Sequence, residues 1–70
     1  MKYGARNTIS GKVIGIKKGA LMCQVDVAIG GGNRMSSVMT IDSMKELGLK
    51  KGSTVTVVVK AVNVLLARES

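Results

Sequence analysis

Apolar and polar residues alternate most regularly near the end of the chain. Thr54-Val55-Thr56-Val57-Val58-Val59-Lys60 is rich in β-branched residues and reads as a strand. The same period of two runs through Cys23, Val25, Val27 and Ile29, with Gln24, Asp26 and Ala28 between them, and predicts a half-buried strand. Ile9–Ile16 alternates more loosely and is a third candidate; Gly11 and Gly15 inside it point to a bend, a bulge or close backbone approach. Arg34–Met39 follows Gly30-Gly31-Gly32-Asn33, whose residues tolerate the positive φ of a hairpin turn. Val62–Ala67, after a kink near Ala61, is expected to form a last strand.

One stretch breaks the period of two. Asp42–Leu47 predicts a short helix, with Thr40 or Asp42 as N-cap and Ser43 with Glu46 spaced as a capping box. Gly48 stands where a left-handed C′ residue ends a helix, and Leu49 can fold back against it. Lys17-Lys18-Gly19 and Lys50-Lys51-Gly52 read as turns. The expected fold class is all-β: five strands with one short helix between the third and fourth, the layout of an OB-like barrel. The chain has no proline, no repeat and no linker, so it reads as a single domain within residues 1–70, running from about residue 5 to residue 67.

Composition narrows the picture. In 70 residues there is one cysteine, no histidine, and one aromatic side chain, Tyr3. An intrachain disulfide is impossible, zinc has no credible ligand set, and no metal is expected to be held directly by side chains. Cys23 fits a small buried hydrophobe. A core of this size supplies only ~3–5 kcal/mol, so self-association is the expected source of further stability. The longest apolar run, around Val55–Val59, is far short of the ~20 residues that cross a bilayer. With no export signal and a free cysteine, a cytoplasmic location and no membrane partner are expected.

Eleven basic residues against four acidic ones give a net charge of +7, a balance that attracts anions without choosing among them. Three kinds of donor suit a small deprotonated oxyanion: the cations Arg6 and Lys60, the hydroxyls of Thr40 and Ser43, and the helix N-terminus beside them. Each has an ordinary structural role as well. Arg6 has Asp26 or Glu69 as ion-pair partners, Lys60 suits a solvated strand end, and Thr40 and Ser43 suit helix caps. Nucleic acid is the rival ligand, bound weakly through phosphate contacts. It is disfavoured because single strands stack on aromatic rings, and Tyr3 lies outside the predicted strands. Without histidine, an activated nucleophile pair or convergent carboxylates, the chain is not expected to be an enzyme.

Ala5-Arg6-Asn7, then Ile9-Ser10-Gly11-Lys12-Val13 and Ile16-Lys17-Lys18-Gly19-Ala20, resemble the start of the molybdate-binding Mop domain. Met39-Thr40-Ile41-Asp42-Ser43, Glu46-Leu47-Gly48-Leu49-Lys50-Lys51-Gly52, Val59-Lys60-Ala61 and Val64 continue the match in order over nearly the whole chain. A chain with this one domain resembles the stand-alone molbindins. The resemblance implies an OB-like barrel and a dimer with exchanged strands, commonly assembled into a hexamer as a trimer of dimers. It also implies molybdate or tungstate bound at subunit interfaces, with no organic cofactor. Carried over residue by residue, it assigns ligand contacts to Gly4, Ala5, Arg6, Asn7, Thr40, Ser43, Lys60 and Ala61. Gly4 stands where the family often has serine, so a hydroxyl is lost there while the backbone N–H remains. The turn residues Lys18, Gly19 and Ala20 form a second candidate set.

Overall fold

The computed structural model describes residues 7–69. Its longest element is β1, Asn7–Lys18, and the rest of the sheet is built on it. The first half of β1 pairs with β4 (Thr54–Val59) from Asn7↔Val59 to Lys12↔Thr54. Its second half pairs with β2 (Met22–Ile29) from Lys12↔Ala28 to Lys18↔Cys23. β3 (Asn33–Thr40) adds to the far side of β2, giving the antiparallel order β3-β2-β1-β4. The two lysines expected in the first turn, Lys17 and Lys18, instead continue the β1–β2 ladder. The turn itself closes through the Gly19 N–H, which donates to the Met22 carbonyl at 2.8 Å.

Both glycine expectations in β1 are met. The register passes from Val13↔Val27 to Gly15↔Asp26, leaving Ile14 as the extra residue of a β-bulge. Gly11 marks the close approach: a Cβ placed there would lie 2.4 Å from Val27 Cγ1 and 3.0 Å from the Ala28 carbonyl oxygen. The β2–β3 hairpin turns on Gly31 and Gly32, both at φ above +70°, where side chains other than glycine are strained.

The core lies on one face of the sheet. Val13, Cys23, Val25 and Val27 are buried there, with Met44 pressed onto them from the helix. Met39, Val55 and Val57 are half-buried around it. Each buried Val or Met side chain contributes ~1.5–3 kcal/mol, so four of them with Cys23 make a modest core that depends on every member.

The helix α1, Ile41–Glu46, is capped by Thr40 and not by Asp42. Ser43 is its third residue, so the expected Ser43–Glu46 box does not form; the Ser43 N–H donates to Thr40 Oγ1 at 3.0 Å instead. Its end is as expected. Gly48 sits at φ +64°, the Leu49 N–H donates to the Met44 carbonyl and the Gly48 N–H to the Lys45 carbonyl, a Schellman motif.

The fifth strand does not form in the described residues. Ala61–Asn63 makes a 3-10 turn, and residues 64–69 join no ladder. Val62, Leu65 and Leu66 are 86, 92 and 93% exposed. An apolar run becomes a strand only where a neighbouring strand offers its backbone, and the turn leads this one off the sheet. The architecture is therefore mostly β with one short helix, a four-stranded open sheet in place of the expected closed five-stranded barrel. Among the described residues nothing pairs with the outer edges of β3 and β4. Between the strands and the segment after the helix runs an apolar groove of about 510 Å³, lined by Val13, Val25, Val27, Met39, Leu49 and Val57 among others, with no charged residue.

Candidate functional site

The expected donors divide into two groups at opposite ends of the sheet. At one end, Asn7 begins β1 and pairs with Val59, so Lys60 follows directly where that ladder stops. Lys60 is exposed, and its carbonyl accepts from the Asn63 N–H at 2.9 Å, starting the 3-10 turn that contains Ala61. Gly4, Ala5 and Arg6 lie outside the described residues. A groove of about 630 Å³ opens here, lined by Asn7, Thr8, Ile9, Met35, Val59, Asn63, Val64 and Leu65. The sequence reading overlooked Asn63, whose amide shares this groove with Asn7; no motif marks it, and only the turn after Lys60 brings it back.

At the other end, Thr40 closes β3 opposite Met22, and Lys18 closes β1 opposite Cys23. The candidate turn Lys18-Gly19-Ala20 therefore neighbours Thr40 and Ser43, two sets that the sequence reading treated separately. The Ile41 N–H donates to the Leu21 carbonyl at 2.9 Å, tying α1 to that turn. The hydroxyls are organised as well: Thr40 Oγ1 donates to Ser43 Oγ at 2.9 Å while accepting from the Ser43 N–H. Thr40 thus serves as the cap, and Ser43 Oγ is joined to it as acceptor. Two N–H groups of the first turn, those of Ile41 and Ser43, are already bonded, so the helix start offers fewer free donors than its sequence suggests. Eleven residue steps of β1 separate the two ends, ~36 Å of strand at ~3.3 Å per residue. Among the described residues of one chain, the Lys60 group and the Thr40–Ser43 group therefore do not converge.

Asp26, on the outer face, accepts at Oδ1 from Gln24 Nε2 at 2.9 Å and from Ser36 Oγ at 2.7 Å. These hydrogen bonds, Gln24 first and then Ser36, hold its carboxyl below the ordinary 3.8 against an opposing effect of burial, with lesser help from the charges of Lys17 and Arg34. The group is satisfied where it stands. Among the described residues no three His, Cys, Asp or Glu side chains converge as metal ligands, and no helix is long and apolar enough to cross a membrane. What the arrangement offers is hydrogen-bond donors and cations at two ends, with the carboxylate of Asp42 in the first turn of α1 beside one of them.

Comparison with known proteins meets this geometry. Residues 4–66 match the TOBE domain family. The chain is 44% identical over 66 residues to molybdenum-pterin-binding protein 2 of Clostridium pasteurianum, covering 94% of this chain and 97% of that one. It superimposes with a TM-score of 0.89 on a molybdate-binding protein from Sporomusa ovata, 32% identical, over 97% of this chain and all of the other. The cytoplasmic molybdate-binding protein ModG, in a crystal form with molybdate bound, gives a TM-score of 0.80 at 43% identity over 87% of this chain and 43% of that one.

Proposed function

The chain belongs to the TOBE domain family, as a Mop-domain molbindin, and from that premise we propose that it binds molybdate or tungstate at seams between copies of itself. One observation carries the reading: the Lys60 end and the Thr40–Ser43 end lie a strand's length apart in one chain. A neighbouring copy brings them together. One copy supplies Lys60, Ala61 and Asn7 with Gly4, Ala5 and Arg6 before them; the other supplies Thr40 and Ser43, with Lys18, Gly19 and Ala20 beside them.

The chemistry of this donor set suits the ion. Molybdate is a tetrahedral dianion that carries no proton at neutral pH, so it needs donors alone. Arg6 offers a planar fork that keeps its charge, Lys60 a point charge, and Ser43 a hydroxyl. Hydrogen bonds to a charged partner contribute ~1.5–3 kcal/mol each, so a handful supports micromolar or tighter binding after association costs. Phosphate retains a proton near neutral pH and requires an acceptor. The nearby carboxylate of Asp42 lies in the first turn of α1, where it is favoured as helix-end charge. Among the described residues Asp42 is the single carboxylate near these donors and does not cap the helix, so phosphate binds more weakly than molybdate and is not wholly excluded, while tungstate, nearly the size of molybdate, is accepted.

The open sheet supports the assembly. The exposed run Val62–Leu66 and the apolar groove beside β4 are complementary needs, met when the tail of one copy closes the barrel of the next. A dimer with exchanged strands follows, and three dimers form the hexamer. The single domain of residues 1–70 then acts as an intracellular, cytoplasmic store or buffer of molybdenum, without catalysis and without an organic cofactor. The described residues contain no aromatic ring for nucleic-acid bases to stack on, so any binding of DNA or RNA is lost at moderate salt.

A thermal-shift series tests the reading. Molybdate or tungstate at 100 times its dissociation constant raises stability by ~2.7 kcal/mol per site, while phosphate at the same concentration gives a smaller shift. Equal shifts with all four of molybdate, tungstate, sulfate and phosphate would leave only diffuse charge, and no shift with the first two would remove the function.

A further inference from the structure

Val64-Leu65-Leu66-Ala67 carries no charge and joins no ladder. It starts one turn after β4, whose outer edge nothing pairs with among the described residues, and the apolar groove runs beside that edge. We infer that the turn Lys60–Asn63 is a hinge with two positions, set by the backbone of Asn63. In the first, seen here, the tail runs off the sheet and is free to reach a second copy. In the second it returns along its own β4 and closes the chain as a monomer. The first position rests on the assembly proposed above; the second stands on this chain alone.

The turn is already built for a return. The Asn63 N–H donates to the Lys60 carbonyl at 2.9 Å, the bond that closes a type I turn over residues 60–63. Ala61 and Val62 lie in a 3-10 turn, whose dihedrals are close to those of type I. Lys60 before them is extended, at φ −67° and ψ 136°, as the last residue of a strand is. A three-residue hairpin loop is such a turn followed by one residue in the left-handed region, and here that residue is Asn63. Among the described residues only glycines have positive φ, so Asn63 now stands outside that region and Val64 leaves the sheet. Asparagine enters it more readily than most side chains, and one rotation there redirects the tail.

Register and pattern favour the returned tail. With Lys60 opposite Val64, the pairs run Val59 with Leu65, Val58 with Leu66 and Val57 with Ala67. Val57 packs against the core, so Leu65 and Ala67 fall on the core side. Leu66 covers Val58, itself 42% exposed. Leu65 and Leu66 are almost fully exposed where they now run, and both gain cover. The hinge is also lightly held. All four of its residues are exposed and no side chain caps it. Beyond the Lys60 bond, only the Val64 N–H, donating to the Ala61 carbonyl at 3.2 Å, has to be released. Closure within a chain is independent of protein concentration, whereas pairing with a second copy scales with it, so dilution moves the hinge to its closed position.

Two substitutions at residue 63 push the hinge in opposite directions. Glycine enters the left-handed region without penalty, and a β-branched side chain is an outlier there. Asn63→Gly should raise the dissociation constant of the assembly roughly tenfold, and Asn63→Val should lower it roughly tenfold. Sedimentation equilibrium of the full chain and both variants, over a range of protein concentrations and without added molybdate, reads the direction. Amide hydrogen exchange on the same samples reports whether residues 64–67 are protected in the monomer. Where the assembly is too tight to dissociate, subunit exchange between isotope-labelled and unlabelled chains, followed by native mass spectrometry, should be faster for Asn63→Gly and slower for Asn63→Val. No change, the same direction for both variants, or monomers whose tail amides exchange unprotected would overturn the hinge. Unsubstituted chains that stay monomeric at every concentration with the tail protected would support the closed position and defeat the assembly proposed above.

Discussion

Gly11 and Gly15 lie four residues apart in the same strand, and the structure assigns them opposite responses to one methyl group. Neither needs a positive φ, so alanine fits the backbone at both, and each substitution gains ~0.4–1 kcal/mol by restricting the unfolded chain. At Gly15 the new Cβ meets nothing nearer than Asp26 Oδ2 at 3.9 Å, ordinary contact, so that gain stands. At Gly11 the Cβ falls 2.4 Å from Val27 Cγ1, 3.0 Å from the Ala28 carbonyl oxygen and 3.3 Å from Ile29 Cγ2. Val27 is only 5% exposed, and the carbonyl belongs to the ladder, so neither moves freely. Overpacking of this kind costs ~1–3 kcal/mol. Gly11→Ala is therefore expected to destabilise by ~1–2 kcal/mol net of the entropic gain, and Gly15→Ala to stabilise by up to ~1 kcal/mol. Urea unfolding at fixed protein concentration, with the slope compared between variants, measures both. Val27→Ala in the Gly11→Ala background removes the nearest methyl, so the pair should be less harmful than the sum of the singles by ~0.5–2 kcal/mol. Equal effects at the two glycines, or additivity with Val27→Ala, would refute the close approach of β1 to β2.

Thr40→Ala should cost ~0.5–2 kcal/mol by removing the helix cap, and Thr40→Ser should recover most of it in the same urea titration. Asp26 has its folded pKa depressed, so its stabilisation is fully present above the unfolded value near 3.8 and is lost as pH falls through the lower folded value. Asp26→Asn should accordingly flatten the acid limb of a stability–pH profile and leave the neutral range of that dependence unchanged. Lys60→Ala should weaken molybdate binding in calorimetry by at least tenfold, whereas Lys50→Ala, in the turn before β4, should change it less than twofold; equal losses would point to diffuse charge.

Much of the fold is legible because short-range chemistry dictates it. Three glycines and an asparagine set the β2–β3 hairpin, and from Ile29↔Asn33 the register runs without interruption to Met22↔Thr40. Counting back from that turn pairs Asp26 with Ser36, so their hydrogen bond was within reach of the sequence. The helix end at Gly48 and the bulge near Gly15 were legible for the same reason. Val62–Ala67 was not, because its composition specifies a strand but not whose strand it joins. The helix cap also escaped a firm assignment: Thr40, Asp42 and Ser43 all carry cap-forming oxygens, and only the end of the β3 ladder selects Thr40. The candidate site was legible as a set of residue types and opaque as a place. Thr40 and Lys60 are twenty positions apart in sequence, and only the antiparallel pairing of β1 with both β2 and β4 sends them to opposite ends of the sheet.

The claim that one copy's Lys60 end and another's Thr40–Ser43 end share an oxyanion is tested most directly by anomalous diffraction at the molybdenum edge, from crystals of the full chain grown with molybdate. The account requires peaks between chains, within hydrogen-bonding distance of Lys60 from one copy and Ser43 from its neighbour. Peaks held by the residues of a single chain, or interfaces without molybdenum in crystals that bind it elsewhere, would contradict it.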